Sequence, residues 1–258
     1  MKGIILAGGL GTRLRPITYI VNKNILPIYN KPAIFYSIEL FSNSGIKDIA
    51  IVAENEFIDD FKKLLGEGAD FGVKLTYFID SPLKKGPVSA LLHARNFANT
   101  ENVAVVFADN VFDISIKDQV SDFTAGAHFF FKEVDNPKSF GVAHLDKNRK
   151  LIDIEEKPAK PKTNLASMGL YLFDKDLYTF LERVEPSING EYLMPTVSNY
   201  YIKEKEVSYT IFKGFWEDMG TFDGLYNASR YFYNKHKKIE RYKNRIIKND
   251  INYLESLG

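Results

Sequence analysis

Short apolar runs alternate with amphipathic segments through the first half of the chain. One apolar run stops at Gly8 and Gly9, and a longer one ends immediately before Asp109. The spacing of the apolar positions predicts strands over 3–7, 48–53, 73–79 and 102–108, and helices over 32–43, 56–65 and 87–97. Strands and helices that alternate in this way indicate an α/β protein, with a parallel sheet and helices on both of its faces.

The pattern changes at residue 127, where strands follow one another without long helices between them. We predict strands over 127–134, 141–145, 151–155, 167–173 and 207–212, and helices over 175–184, 193–203 and 221–237. The consecutive strands are interpreted as a mixed sheet region inserted over the parallel one.

The chain shows neither an internal repeat nor a low-complexity linker, so we predict a single domain over residues 1–238. Residues 239–258 are predicted to form a C-terminal helical tail. The stretch 235–248 is rich in Lys and Arg, and we interpret it as a solvated extension. A contact between subunits is the alternative interpretation.

Composition narrows the classes of function. Hydrophobic residues are 45% of the 258 and charged residues 26%, and the net charge of +1 gives no overall attraction to nucleic acid or to an anionic membrane. The absence of cysteine excludes disulfides, thiolate nucleophiles and cysteine-ligated zinc. The N-terminal apolar run is too short for a signal peptide, and no stretch approaches the roughly 18 apolar residues of a membrane span. We therefore expect a cytoplasmic protein.

Residues 8–13 hold the strongest candidate chemistry. A strand leads into a loop with three glycines, whose backbone N–H groups can approach phosphate oxygens because no Cβ intervenes. Arg13 ends this loop and Lys23 follows it, and two cations of this kind suit a triphosphate. A glycine turn beside two unrelated surface cations is the alternative interpretation.

Two familiar glycine motifs are excluded for this loop. A dinucleotide-binding fingerprint that began at Gly9 would need a glycine in place of Leu14, and a Walker A loop would end on Gly-Lys-Ser or Gly-Lys-Thr. A phosphate site in this loop would therefore be of another kind.

The residues around the loop resemble the signature of the sugar-1-phosphate nucleotidyltransferases, and most closely their glucose-1-phosphate thymidylyltransferase branch. The matching blocks run in order from residue 1 to about 235 and include 8–14, Lys23, 26–27, 31–32, 109–110, 155–158, 169–171, 190–191 and 216–221. One block alone is weak, whereas the ordered series is specific. The resemblance implies a Rossmann-like three-layer αβα nucleotidyltransferase fold with a central mixed, mostly parallel sheet.

The resemblance also implies which residues form the site. Its catalytic residues would be Arg13, Lys23 and Asp109, and Mg²⁺ would be held by Asp109 and Asp218. The nucleotide would be bound by Leu6, Gly8, Gly9, Gly11, Thr12, Asp80 and Gly86. The acceptor would be bound by Gly141, Glu156, Lys157, Gly169 and Trp216. The alternative for Asp109 and Asp218 is a structural role in a turn or a helix cap. The alternative for residues 156–157 is an exposed charged turn.

The implied reaction joins a nucleoside triphosphate to a sugar 1-phosphate, most directly dTTP to glucose 1-phosphate, and releases pyrophosphate. A phosphate monoester is already a nucleophile near neutral pH, so this displacement needs positioning and charge neutralisation more than a general base. We expect these two substrates as partners, no nucleic acid, no membrane, and a homo-oligomer. The same chemistry with CTP, GTP or UTP and another phosphorylated acceptor stays open, as does a nucleotide-binding regulator without catalysis.

Asp80 departs from the thymidylyltransferase pattern, which usually has a glutamine at the position that reads the base edge. An amide both donates and accepts hydrogen bonds, whereas an ionised carboxylate only accepts them. A carboxylate suits an edge rich in N–H donors, as on guanine or cytosine. It could accept the single N3–H of thymine or uracil, but it would leave O4 without a donor.

Further departures lie on the acceptor side. Asn189 replaces an arginine that helps to grip the acceptor phosphate, Met168 and Met219 replace smaller threonines common beside the sugar site, and residues 192–196 differ from the usual stretch. We hypothesise that nucleotidyl transfer is retained while the acceptor has changed, with the base as a second candidate for change.

Overall fold

The computed structural model describes residues 1–80 and 86–255, with side chains as far as Ile239. Its strands are β1 (Lys2–Leu6), β2 (Pro27–Ile28), β3 (Lys31–Pro32), β4 (Asp48–Glu54), β5 (Lys74–Asp80), β6 (Val103–Phe107), β7 (Asn110–Asp113), β8 (Ala127–Glu133), β9 (Gly141–Leu145), β10 (Leu151–Glu156), β11 (Leu165–Phe173), β12 (Val207–Ile211) and β13 (Phe215–Asp218). Its helices are α1 (Ala33–Asn43), α2 (Ile58–Leu65), α3 (Pro87–His93), α4 (Arg95–Ala98), α5 (Lys117–Asp122), α6 (Leu177–Leu181), α7 (Met194–Glu204) and α8 (Phe222–Glu255).

A nine-stranded sheet forms the centre of the molecule, with β10-β9-β11-β6-β1-β4-β5 in order and β8 and β12 branching from β11. The most N-terminal strand, β1, lies between β4 and β6 and is parallel to both. Strands β10 and β11 run opposite to the rest of the sheet. The predicted mixed, mostly parallel sheet is confirmed.

The strands after residue 127 extend this sheet sideways, so the prediction of a separate region lying over it is wrong. Strand β11 pairs with the edge of β6 in antiparallel register, with Leu170 opposite Val106 and Phe173 opposite Val103. Strand β6 is almost entirely buried, and its backbone N–H and C=O groups need partners on both sides. The second half of the chain supplies the partner that the first half lacks.

Helices cover both faces of the sheet. Ile4 and Leu6 of β1 face a core that contains residues of α3, α6 and α7, whereas Ile5 of β1 and Ala7, the residue after the strand, face a core that contains residues of α1 and α2. This alternation follows from the two-residue period of a strand. The predicted three-layer αβα arrangement is confirmed.

The predicted helix 87–97 is interrupted at Ala94, which separates α3 from α4. The last helix, α8, is longer than the predicted 221–237, because neither proline nor a further glycine follows Gly224 before its end at Glu255. The predicted tail is part of α8 as far as Glu255, and residues 256–258 lie outside the described residues. None of the described helices is long and apolar enough to cross a membrane.

Helix α8 is fastened to the short ribbon of β7 and β13. The ring of Tyr231 stacks on Phe215 with centroids 3.8 Å apart. Asp113 of β7 accepts hydrogen bonds from the Tyr231 hydroxyl and from Lys235 Nζ, each at 2.5 Å. The helix therefore fixes the ribbon against the body of the protein.

Candidate active site

The predicted glycine loop begins where β1 ends, at the edge of the sheet formed by the carboxyl ends of its parallel strands. Two buried asparagines that sequence analysis did not identify hold this point. The side-chain amides of Asn22 and Asn24 donate to the carbonyl oxygen of Ala7 at 3.3 and 2.8 Å. Ligands of α/β proteins bind at such strand ends, so the loop starts at a chemically favourable place.

Two of the loop glycines adopt backbone conformations that other residues avoid. Gly9 has φ +101° and Gly11 has φ +57°, both in the left-handed region. A Cβ on Gly11 would also lie only 2.9 Å from Thr18 Cγ2. Leu14, which breaks the dinucleotide-binding pattern, is fully buried in an apolar cluster. The loop is therefore a specific structure, and not a plain surface turn.

Lys23 and Asp109 form an ion pair at the mouth of the loop. Lys23 Nζ contacts Asp109 Oδ2, and Asn110 Nδ2 donates to Asp109 Oδ1 at 2.8 Å. Burial acts to raise the pKa of Asp109, but the charge of Lys23 and the hydrogen bonds from Lys23 and Asn110 outweigh it and lower that pKa. Asp109 is thus held ionised.

The ribbon of β7 and β13 brings Asp218 beside Asp109. Asn110 pairs with Asp218 across the ribbon, and the Met219 N–H donates to the Asp109 carbonyl at 2.9 Å. Burial, followed by the charge of Asp109, raises the pKa of Asp218. The Gly220 N–H donates to Asp218 Oδ1 at 2.7 Å, and Arg13 Nη2 lies 3.8 Å from Asp218 Oδ2. Two carboxylates and two cations therefore converge beside the loop.

A cavity of about 210 Å³ extends from this cluster along the ends of the strands. Six of the predicted residues line it, namely Leu6, Gly8, Gly9, Asp80, Gly86 and Asp109, together with Pro87, Ala90 and Phe107. Gly11 and Thr12 lie outside this lining, at the start of a short 3₁₀ turn.

Glu54 lies beside Asp80, which lines the cavity, because β4 and β5 pair these two residues across the sheet. A Cβ on Gly8 would lie 3.4 Å from Glu54 Oε1 and 3.5 Å from Asp80 Oδ2. Burial raises the pKa of Glu54, and the charge of Asp80 adds to this effect. Glu54 Oε1 also accepts a hydrogen bond from the Gly9 N–H. Sequence analysis missed Glu54, although it ends a strand as Asp80 does.

The predicted acceptor residues Gly141 and Glu156 lie opposite each other on β9 and β10. Lys157 follows with φ +44°, an uncommon conformation for a residue with a side chain, and its N–H donates to the Phe140 carbonyl at 2.9 Å. Its Nζ lies 3.4 Å from Glu156 Oε1, and its side chain is 64% exposed. A cation and a carboxylate are thus presented together at the end of β10.

Trp216 lies behind the site instead of on its surface. Its side chain is buried, and its Nε1 donates to Asn110 Oδ1 at 2.7 Å. Gly169, at φ +66°, brings β11 against the same asparagine, since a Cβ there would lie 3.0 Å from Asn110 Nδ2. Asn110 therefore connects two predicted acceptor residues to Asp109.

The departures on the acceptor side have different structural settings. Met168 and Met219 are fully buried in apolar clusters. Asn189 is exposed in the turn before β-bridge residue Glu191. Arg183, a candidate to replace the missing arginine, instead donates to both carboxylate oxygens of Glu204 at 2.8 and 2.5 Å.

Comparison with protein families matches residues 2–235 to the model described as nucleotidyl transferase. The chain belongs to this family. The glucose-1-phosphate thymidylyltransferase of Neisseria meningitidis serogroup A is 38% identical over 238 residues, which are 90% of this chain and 82% of the relative. The enzyme of the same name from Mycolicibacterium smegmatis is 35% identical over 89% of this chain and 81% of its own length. This nucleotidyl transferase is accordingly a sugar-1-phosphate nucleotidyltransferase.

Solved structures of similar proteins agree with this assignment. A Bacillus anthracis crystal structure provisionally named a glucose-1-phosphate thymidylyltransferase, in complex with a sucrose, has a TM-score of 0.84 and 37% identity, and the match covers 89% of this chain and 94% of that one. A UDP-glucose pyrophosphorylase complexed with UDP-glucose has a TM-score of 0.80 and 25% identity over 91% of this chain and 98% of that one. The nucleotidyl transferase condenses a nucleoside triphosphate with a sugar 1-phosphate.

Proposed function

We propose that this enzyme carries out its transfer where Arg13, Lys23, Asp109 and Asp218 converge beside the glycine loop, with Mg²⁺ as cofactor. The observation that supports this most directly is the ribbon pairing that brings Asp218 next to Asp109. A protein that only bound a nucleotide would have no need for two such carboxylates at its phosphate site.

The two carboxylates fit a magnesium ion. No group of three or more His, Asp or Glu side chains that could hold a metal occurs in the described part of the chain, but Mg²⁺ usually takes one or two carboxylates and completes its shell with phosphate oxygens and water. Burial, and then the charge of Asp109, raises the pKa of Asp218, and a divalent cation held by these two carboxylates would stabilise their ionised forms. Bound there, Mg²⁺ would supply positive charge to neutralise the phosphates.

The protein's own groups bind and orient the reactants. Arg13 can grip two phosphate oxygens at once, and Lys23 can direct its charge to the phosphates from its position beside Asp109. Lys157 would hold the acceptor's phosphate and Glu156 would accept hydrogen bonds from sugar hydroxyls. An oxygen of the acceptor phosphate then attacks the α-phosphorus and pyrophosphate leaves in line, so no protein group need remove a proton.

The relatives' names make dTTP and glucose 1-phosphate the reference pair of substrates. CTP, GTP or UTP and another phosphorylated acceptor remain alternatives, because Asp80 and Asn189 depart from the thymidylyltransferase pattern. We also propose a cytoplasmic location and a homo-oligomeric state. Cell fractionation and light scattering of the purified protein test these two points.

Pyrophosphate release with Mg²⁺, measured for each nucleoside triphosphate with a panel of sugar 1-phosphates, tests the reaction. We expect Asp109→Asn to reduce the rate at least about 100-fold, since it removes charge from the reacting centre. Asp118→Asn, which changes an exposed carboxylate on α5, is the matched control and should leave the rate unchanged. Nucleotide binding without pyrophosphate release from any pair would favour the regulator.

A further inference from the structure

Most backbone N–H groups of the glycine loop are open to a ligand. In the described part of the chain, those of residues 10–12 have no hydrogen-bond acceptor. Arg13 ends the loop, and Lys23 Nζ lies 3.5 Å from the position of a Cβ on Gly9. Backbone N–H groups that lie together beside cations bind anions. The loop is therefore arranged for an anion before any nucleotide binds.

Gly9 is the exception, because its N–H is already in use. Glu54, the last residue of β4, accepts this N–H through Oε1, and a Cβ on Gly8 would lie only 3.4 Å from the same oxygen. The carboxylate thus reaches the loop at the glycine that lies next to Lys23. The anion site contains an anion that belongs to the protein itself.

This position is unfavourable for the carboxylate. Burial raises the pKa of Glu54, and the backbone hydrogen bonds and the charge of Lys23 offset this effect only in part. Its second oxygen, Oε2, is buried and has no hydrogen-bond partner among the residues that the structure describes. A buried acceptor without a donor costs free energy, which is recovered when the group moves into water. A more highly charged anion can therefore displace Glu54.

A triphosphate is such an anion. It carries several negative charges, so it gains more than one carboxylate does from the two cations at the loop. While Glu54 remains on Gly9, its charge repels the phosphates and its oxygen occupies a donor that they could use. The contact of Glu54 with the loop and full contact of the phosphates with the loop exclude each other.

We propose that Glu54 is an internal competitor of the nucleotide, which occupies the Gly9 N–H in the free enzyme and is displaced by a phosphate of the nucleoside triphosphate. The competition lowers the affinity of the free enzyme for triphosphates. The inference rests on the proposed function, because it assumes that the triphosphate lies at the glycine loop beside Lys23 and Arg13.

Calorimetric titration with inorganic tripolyphosphate at constant Mg²⁺ tests the competition without knowledge of the base or the acceptor. Glu54→Gln keeps an oxygen for the Gly9 N–H but removes its charge, and a neutral acceptor is displaced more easily than an ionised one. We expect Glu54→Gln to bind tripolyphosphate about tenfold more tightly than wild type, and Glu54→Ala at least as tightly as Glu54→Gln. Glu56→Gln, a nearby exposed control, should bind as wild type does.

Nuclear magnetic resonance can follow the Gly9 N–H directly, because Gly8 and Gly9 are the one pair of adjacent glycines in the chain. With glycine labelled at its carbonyl carbon and its amide nitrogen, a spectrum that correlates each amide with the preceding carbonyl shows the Gly9 amide alone. Free wild type and free Glu54→Gln should give different signals, since the acceptor differs. At saturation with tripolyphosphate their signals should coincide, since a phosphate oxygen has replaced both side chains.

Three results would overturn the inference. The first is binding of tripolyphosphate by Glu54→Gln that is no tighter than by wild type, and the second is a pair of Gly9 signals that stay different at saturation. The third is weaker binding by Glu54→Ala than by wild type, since Glu54 would then shape the loop for the phosphates. Urea denaturation checks that the variants are folded. The proposed function is judged separately by pyrophosphate release, which does not depend on how Gly9 is occupied.

Discussion

Trp216 donates its indole N–H to the side-chain oxygen of Asn110, and Asn110 in turn donates its amide to Asp109. Both Trp216 and Asn110 are buried, so neither bond is exchanged readily for one with water. The chain of two hydrogen bonds sets the orientation of the asparagine amide, and through it the orientation of the carboxylate beside Lys23.

The first prediction concerns the indole N–H. Trp216→Phe keeps an aromatic ring but leaves the buried Asn110 oxygen without its donor, which should cost about 1–3 kcal/mol of unfolding free energy. Asn110 would then orient Asp109 less firmly, and we expect kcat to fall about tenfold, as for other groups that orient a site residue. Urea denaturation and pyrophosphate release measure the two effects.

Phe140→Leu is the matched control, because Phe140 packs against Trp216 with ring centroids 5.2 Å apart but takes no part in the hydrogen bonds. It should lower stability by a similar amount and leave kcat within about twofold of wild type. An equal fall of kcat in both variants would mean that packing, and not the hydrogen bond, orients Asp109.

The second prediction concerns pH. Burial raises the pKa of Glu54 above its value in the unfolded chain, with the charge of Asp80 as a further cause, so the folded protein binds a proton more readily there. The stabilisation that this proton gives is fully present below the pKa of glutamate in the unfolded chain, which is about 4.3. It is lost as the pH rises through the pKa of Glu54 in the folded protein. Glu54→Gln keeps an oxygen for the Gly9 N–H and removes the titration.

We therefore expect Glu54→Gln to be more stable than wild type at pH 8, with a difference that shrinks as the pH falls towards about 4. Urea denaturation at several pH values measures this. Glu56→Gln changes a neighbouring exposed carboxylate and serves as the control. A difference that stays constant with pH would show that Glu54 is not the titrating group.

The third prediction compares two glycines with almost the same backbone conformation. Gly169 has φ +66° and Gly72 has φ +63°, but a Cβ on Gly169 would lie 3.0 Å from Asn110 Nδ2 and Phe107 Cδ2, whereas a Cβ on Gly72 would meet nothing within 4 Å. Gly72→Ala should lower the free energy of unfolding by about 1 kcal/mol, because its backbone is left-handed and nothing else opposes the methyl group.

Gly169→Ala should lower the free energy of unfolding by about 1–3 kcal/mol more than Gly72→Ala does. It should also lower kcat, because the new methyl group displaces Asn110. Denaturation curves and initial rates of both variants check this. Equal losses of stability with unchanged rates would show that the space around Asn110 can expand to accept the methyl group.

Local patterns were sufficient to predict the strands of the central sheet and the residues at their carboxyl ends, because burial on both faces makes those strands apolar throughout. The glycine loop and Lys23 were predicted in this way, whereas the role of Asp109 was predicted from the family resemblance. Asp218 was placed through family resemblance, and its neighbourhood could not be predicted from local pattern. The ribbon that positions it has strands of only four residues, β7 and β13, which pair across half of the chain.

Tertiary contacts also explain what local patterns did not indicate. Trp216 is predicted to bind the acceptor, and in the structure it is buried and donates its N–H to Asn110, a residue that lies far away in the sequence. Glu54 was missed because the predicted strand stopped at residue 53, and the pairing of β4 with β5 is what turns this residue towards Gly8. Neither arrangement leaves a periodic signal in the sequence.

The order of strands in the sheet has a consequence for how such an enzyme can diverge. The end of β5 meets one end of the cavity, those of β1 and β6 lie beside the cluster of Lys23 and Asp109, and β9, β10 and β11 lie on the opposite side of β6. Substitutions on one flank therefore leave the central cluster and the other flank in place. A lineage can alter its nucleotide and its sugar in separate steps while the reaction itself persists.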